Sequence, residues 1–173
     1  MPEHWIAISD IPAHGREMSF DDQALWREGC ETFSLDVEPG RDLVAEFTVM
    51  PQPDGGALVR GTLKGSVFMP CDRCAARYEL EIDAAYDLFE QLPGEEDTGE
   101  EPRVREVSGE LQLDIGALLW EEFALSLPVK PLCAEACKGV CPGCGADLNT
   151  EVCRCPEDEG DERLAVFRNL KIK

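Results

Sequence analysis

Between Leu43 and Phe89 apolar and polar residues alternate with period two, the mark of strands that bury one face. Leu43, Ala45, Phe47 and Val49 share one face of a first strand. Pro51 to Gly56 makes a turn, and Val59, Leu63, Val67 and Met69 answer from a second strand, with Arg60, Thr62, Lys64 and Ser66 on its other side. Past a pair of cysteines, Tyr78, Leu80, Ile82, Ala84, Tyr86 and Leu88 alternate with Glu79, Glu81, Asp83 and Asp87. The pattern predicts an antiparallel meander with one buried face. Gly61 and Gly65 in its middle strand point to a bulge or a close backbone approach.

Elsewhere the pattern is weaker or helical. Trp5, Ile6, Ile8 and Ile11 alternate loosely. Ser19, with Asp22 three residues on as a capping-box-like partner, predicts a helix from Phe20 to about Trp26. The stretch QLPGEEDTGEEPRVREVSGE holds glycine, proline and acidic residues with almost nothing to bury and reads as a solvated loop. In LDIGALLWEEFALSLP, Ile115, Leu118, Leu119 and Phe123 fall on one helical face, Asp114 stands as N-cap and Pro128 prevents continuation. That helix is expected to cover the sheet. Leu164, Phe167 and Leu170, behind Asp161 as a helix start, predict a short terminal helix docked on the body.

The expected fold class is therefore α+β: an antiparallel β-sheet meander covered by a helix, with a C-terminal cysteine-rich zinc-binding module and a short terminal helix. A body of residues 1–130 would include the Cys71/Cys74 pair, residues 131–157 would form the module, and 158–173 an acidic linker and the last helix. A chain of 173 residues, 43% apolar and 30% charged, can bury one respectable core.

Charge narrows the range of partners. With 36 acidic against 16 basic side chains the net charge is -20, so the whole-molecule field repels nucleic acid and anionic membrane. Any RNA contact would have to be local, and a basic partner suits the field better. The opening MPEHWIAISDIPAHGREM has neither a basic nor an apolar signal region, and no apolar run approaches the roughly 18 residues of a span. A soluble, cytoplasmic protein with no membrane partner is expected. In a reducing compartment its nine cysteines would be free to serve a metal.

Cys30 stands alone and reads as a small packed side chain. The other eight form four close pairs: Cys71 and Cys74, Cys133 and Cys137, Cys141 and Cys144, Cys153 and Cys155. Two residues between cysteines let a tight turn aim both sulfurs at one ion while intervening N–H groups bond to them. In CPGCG, Pro142 stiffens the turn and Gly145 supplies permissive backbone after the second thiolate. The local division gives one zinc to Cys141, Cys144, Cys153 and Cys155, and a second to Cys71, Cys74, Cys133 and Cys137. The competing division uses one ion: six cysteines lie within 23 residues, so a single site drawing on Cys133 or Cys137 would leave Cys71 and Cys74 free.

Other chemistries fit less well. A redox C-x-x-C wants a helix N-terminus behind its first sulfur, whereas CDRC interrupts two alternating stretches. An iron–sulfur cluster shares the ligand type, but tight knuckles flanked by small polar residues favour zinc. A catalytic zinc would keep an open position and usually recruit histidine or carboxylate. His4 and His14 lie far along the chain from every pair and read as surface residues. With no phosphate loop, nucleophile elbow or paired-carboxylate motif, neither an enzyme nor a small-molecule substrate is expected.

The order of CDRC, an alternating strand ending in DLFE, LDIGALLWEEFALSLPVKPLC, CKGVCPGCGADLN, CRC and DERLAVFRNLK resembles the YceD family, the large ribosomal RNA subunit accumulation proteins. The resemblance implies a non-enzymatic factor for large-subunit biogenesis, partnered with the large ribosomal subunit precursor, its RNA or a basic ribosomal protein. The family defines no catalytic residue, so none is carried over. Arg73, Arg77, Lys130, Lys138 and Arg154, each within four residues of a cysteine, would form a local basic patch for phosphates. Two other readings stand beside it. One is a protein-binding module whose acidic loop, Glu95 to Glu101, captures a basic partner. The other is a thiol redox protein working through Cys71 and Cys74.

Overall fold

The computed structural model describes residues 4–53, 55–92 and 102–156. Within them the chain is α+β, with antiparallel sheets and two helices. The elements are β1 (Trp5–Ala7), β2 (Arg16–Phe20), α1 (Gln23–Thr32), β3 (Glu38–Pro39), β4 (Val44–Pro51), β5 (Ala57–Pro70), β6 (Arg77–Glu90), β7 (Val104–Val107), β8 (Glu110–Asp114) and α2 (Ile115–Ser126). The terminal segment predicted as a helix, with Asp161, Leu164, Phe167 and Leu170, lies outside the described residues, as does the acidic stretch Glu95 to Glu101.

The centre of the larger sheet is β5. One side of it pairs with β6 along its whole length, from Ala57↔Glu90 to Pro70↔Arg77. The other pairs with β4 from Pro51↔Ala57 to Val44↔Lys64, then with β3 at Val67 and Phe68. β2 adds to the far edge of β4. The inward set is as the alternation requires: Ala45, Val49, Val59, Leu63 and Val67 are all at most 2% exposed. Both long registers run without a bulge, so the glycines of β5 mark close approach instead. A Cβ at Gly61 would stand 2.4 Å from the Glu46 carbonyl oxygen. Ser66, expected on the polar side, is fully buried there, because its Oγ donates to Glu79 Oε1 at 2.6 Å and accepts from the Arg41 backbone N–H at 2.8 Å.

Two expectations are corrected. The first helix runs Gln23–Thr32, and Asp22 is its N-cap, accepting from Ala24 N at 2.9 Å. Ser19 and Phe20 belong to β2, paired with Glu46 and Ala45. The spacing of Ser19 and Asp22 imitates a capping box, but strand pairing claims Ser19 and the nearer carboxylate does the capping. The stretch read as a loop also contains structure: β7 and β8 form a hairpin turning at Ser108 (φ 55) and Gly109 (φ 86). This left-handed pair matches the right-handed twist of two-residue hairpins. Val104 is fully buried, and β1 closes a three-stranded sheet on β8.

Asp114 caps α2 by accepting from Ala117 N at 3.1 Å. The helix lies against α1, β5 and β6, burying Ile115, Leu118, Leu119 and Phe123, each at most 2% exposed. Trp120 joins them: its ring stacks on Phe33 and tilts against Phe123, both at 5.5 Å between centroids. It rests on Gly29 of α1, where a Cβ would lie 2.2 Å from Cζ3 of the indole. Gly29→Ala gains roughly 1 kcal/mol of helix propensity, but displacing a ring held from both sides costs about 1–3 kcal/mol or more. The variant should unfold at a lower urea midpoint with unchanged slope; an equal or higher midpoint would show that the indole moves freely. His4, expected at the surface, is half-buried edge-on to Phe20 at 5.0 Å and lies 3.4 Å from Asp22 Oδ2. His14 is exposed.

Candidate metal centres

The long β5–β6 hairpin ends in the loop that holds Cys71 and Cys74. After α2 the chain returns to this loop, where Asp72 N donates to the Pro131 carbonyl at 2.8 Å. Cys133 and Cys137 are thereby set against the first pair, with Sγ–Sγ distances of 3.8 Å for Cys71–Cys137 and 3.7 Å for Cys74–Cys133. Cys71, Cys74 and Cys137 are buried, Cys133 is exposed, and Tyr78 and Leu132 pack on the cluster.

The second group is local. Cys141 Sγ lies 3.3 Å from Cys153 and 3.9 Å from Cys155, and Cys144 lies 3.9 Å from Cys153. Within each group the four sulfurs lie within 4.8 Å of one another, so each group could hold a metal ion. Membership is Cys71, Cys74, Cys133, Cys137 and Cys141, Cys144, Cys153, Cys155. Among the described residues Cys71 and Cys74 are thus not left apart, as the one-site division would require.

The two C-x-x-C turns are backbone copies of each other. In one, Ala75 N donates to the Cys71 carbonyl at 2.8 Å and Cys71 N to the Ala76 carbonyl at 3.0 Å. In the other, Gly145 N donates to the Cys141 carbonyl at 2.8 Å and Cys141 N to the Ala146 carbonyl at 2.8 Å. Both turns place the residue after the second cysteine in the left-handed region, Ala75 at φ 58 and Gly145 at φ 75. Glycine takes that region without steric cost, so the alanine holds it only because the turn demands it. Backbone N–H groups face the sulfurs: Arg73 N lies 3.4 Å from Cys71 Sγ, and Cys155 N 3.3 Å from Cys153 Sγ.

These donors set the acidity of the groups before any ion is bound. The Cys71 thiol is drawn down to about 6, first by the N–H of Cys133, and the Cys141 thiol to about 6 by the N–H groups of Cys144 and Gly143. Their neighbours move oppositely. The Cys133 thiol is pushed up to about 12 chiefly by Cys137, and that of Cys155 to about 12 chiefly by Cys144. In each group one thiol is thus drawn down beside others that are pushed up, with Cys74 bonding to the lowered Cys71 and Cys153 to the lowered Cys141.

Sequence reading missed the ties between the groups. Val140 N donates to the Arg73 carbonyl at 3.0 Å. The Arg73 guanidinium donates to the carbonyls of Glu135 at 3.1 Å and Cys137 at 2.9 Å. Asn149, from the second knuckle, accepts from Lys138 N at 2.8 Å and sends Nδ2 to Cys137 Sγ at 3.5 Å. Asp147 orients it through Asn149 N at 2.9 Å, and its carboxyl is held below the usual range by that N–H. The polar ADLN run was the available signal. The basic patch shrinks accordingly. Arg73 is spent on carbonyls and Arg77 on Asp36 and Glu38, leaving Lys130, Lys138 and Arg154 exposed and without an ion-pair partner among the described residues. Cys30 is buried on the inner face of α1 and belongs to neither group.

Among the described residues no helix is long and apolar enough to cross a membrane. The family model for the large ribosomal RNA subunit accumulation protein YceD matches residues 59–171. An uncharacterized protein of Mycobacterium tuberculosis is 31% identical over 127 residues, 72% of this chain and 59% of that protein. One from Mycobacterium bovis is similar to the same extent. The chain thus spans about three fifths of the length of these relatives. The chloroplastic large ribosomal RNA subunit accumulation protein YCED homolog 1 of Arabidopsis thaliana is 33% identical over 60 residues, 35% of this chain and 19% of its own length. No solved structure matches.

Proposed function

The chain belongs to the YceD family, and from that membership we propose that it is a cytoplasmic, non-enzymatic factor for large ribosomal subunit biogenesis, fastened by two structural zinc ions. Its platform is the meander of β4, β5 and β6 covered by α2, with residues 131–157 as the metal-binding module. The observation that carries the role is the family match across residues 59–171. The observation that carries the metal is the pair of four-sulfur groups.

Zinc fits these donors. Four sulfurs at 2.3 Å around a tetrahedral centre stand about 3.8 Å apart; five of the sulfur pairs here are 3.3 to 3.9 Å apart, and all lie within 4.8 Å in each group. Cys71, Cys74, Cys133 and Cys137 would hold one ion and Cys141, Cys144, Cys153 and Cys155 the other. When bound, zinc supplies cross-linking and no redox chemistry. Four thiolates close the coordination shell, which supports a structural over a catalytic reading.

Partner contact in this reading falls to Lys130, Lys138 and Arg154, exposed beside the two groups, meeting phosphates of the large-subunit precursor in an otherwise repulsive field. Lys130→Glu, Lys138→Glu and Arg154→Glu combined should abolish salt-sensitive co-purification with large-subunit precursor while leaving metal content intact. Replacing the carboxylates of Glu95 to Glu101 by amides should have little effect. The reverse pattern would favour capture of a basic ribosomal protein by the acidic stretch, and no association by wild type with precursor, RNA or large-subunit proteins would sink both.

A further inference from the structure

The two cysteine groups meet across a short stretch of chain. Three residues, Lys138, Gly139 and Val140, separate Cys137 of the first group from Cys141 of the second. Backbone bonds hold this stretch on both sides. Val140 N donates at 3.0 Å to the carbonyl of Arg73, which lies between Cys71 and Cys74, and Leu148 N, from the loop between Cys144 and Cys153, donates to the Gly139 carbonyl at 2.9 Å. Gly139 takes φ 76, and a Cβ there would stand 2.8 Å from the Arg73 carbonyl oxygen. The connecting stretch therefore lies directly against the first turn.

Asn149 adds a side-chain contact to these backbone ties. It sits in the loop bracketed by Cys144 and Cys153, so its position follows from the closure of the second group. Asp147 fixes its side chain: Oδ1 of Asp147 accepts from Asn149 N at 2.9 Å and from Asn149 Nδ2 at 2.7 Å. Held in this way, Asn149 accepts from Lys138 N at 2.8 Å and aims Nδ2 at Cys137 Sγ, 3.5 Å away. A side chain placed by one group thus donates to a sulfur of the other.

Such a donor matters most when the sulfur is a thiolate on a metal, because the hydrogen bond is then charge-assisted. Partners of this kind around a metal site are worth about 10- to 100-fold in affinity. The contact here is long and Asn149 is exposed, which places it at the lower end of that range. With the second group closed on an ion, the donor stands ready for Cys137. With it open, residues 145–152 lose both anchors, and the donor must be ordered as the first ion binds. The dependence is reciprocal by linkage: whatever the second ion adds to the affinity of the first, the first adds to that of the second.

We propose that the two metal centres are coupled through Asn149, so that each binds zinc about tenfold more tightly when the other is filled. The coupling rests on the two-zinc reading above.

The test uses the full chain in buffers of graded free zinc. Filling of each group is read separately, as protection of Cys133 and of Cys144 from alkylation, located by peptide mass; both are exposed. Emptying the second group by Cys153→Ser with Cys155→Ser should raise the free zinc that half-protects Cys133 by about tenfold. Asn149→Ala should raise it by about as much, and the three substitutions combined should raise it no further, because they remove the same contact. In the other direction, Cys71→Ser with Cys74→Ser should raise the half-protection point of Cys144 by about tenfold when Asn149 is present and leave it unmoved beside Asn149→Ala. Two protected groups in wild type whose half-protection points ignore these changes, or losses that multiply when the changes are combined, would overturn the coupling and leave the zinc reading standing. Protection of fewer than two groups in wild type would overturn both.

Discussion

Replacing Cys71 with serine is expected to remove one of two zinc equivalents and lower the thermal midpoint by about 10–20 °C, while Cys141→Ser removes the other equivalent with a shift of only a few degrees. The asymmetry follows from what each group joins. Cys71 and Cys137 are 66 residues apart in sequence, so their centre pins the segment after α2 to the tip of the main hairpin. Cys141 and Cys155 are 14 apart and close a loop that buries little else. Cross-links over long loops restrain the unfolded chain more than those over short ones, and three of the four sulfurs in the first group are also buried. Native mass spectrometry counts the metal and a thermal scan reads the midpoint. Equal shifts for the two variants, or a single zinc in wild type, would defeat the two-centre reading.

Phe123→Ala should destabilise the chain by about 3–5 kcal/mol, a fall in thermal midpoint of roughly 6–20 °C, without altering metal content. Phe123 is fully buried and sits between the rings of Trp26 and Trp120, each at 5.5 Å. It also lines an open cavity of about 410 Å³ beside α1 and β5, so truncation enlarges an existing void that the surrounding rings, held in turn by Phe20 and Phe33, cannot collapse to fill. Urea unfolding followed by tryptophan fluorescence would measure it. A loss below about 1 kcal/mol, the cost of a well-tolerated core change, would mean that the aromatic cluster repacks freely.

The long strands and α2 were legible because burial repeats along them: Ala45, Phe47 and Val49 by twos, Ile115, Leu119 and Phe123 by the helical turn. The β7–β8 hairpin was hidden by its neighbours in sequence. Four-residue strands carry little periodic signal, and Val104 is the one fully buried side chain of β7. The helix start slipped because Ser19 and Asp22 satisfy a local rule that pairing with β4 overrides. For the cysteines, spacing gave the four close pairs but left open whether they serve one site or two; the fold gathers Cys71, Cys74, Cys133 and Cys137 in one cluster and Cys141, Cys144, Cys153 and Cys155 in another. The bonds of Asn149 and Arg73 to groups across the centres were not legible, since spacing along a chain does not say which carbonyl or sulfur a side chain will meet. For the same reason Arg77 looked available to a partner until Asp36 and Glu38 were placed beside it.

The two cysteine groups also differ in when a growing chain can complete them. As synthesis proceeds from the N-terminus, the turn bearing Cys71 and Cys74 emerges with β5 and β6, but its remaining sulfurs follow 59 and 66 residues later. At about 5–20 residues per second the half-made centre waits several seconds, with two thiols at the tip of a hairpin that is already able to form. The later group needs only its own 15 residues, Cys141 to Cys155. The group that joins the tip of the main hairpin to the segment after α2 is thus the one begun first and left open longest.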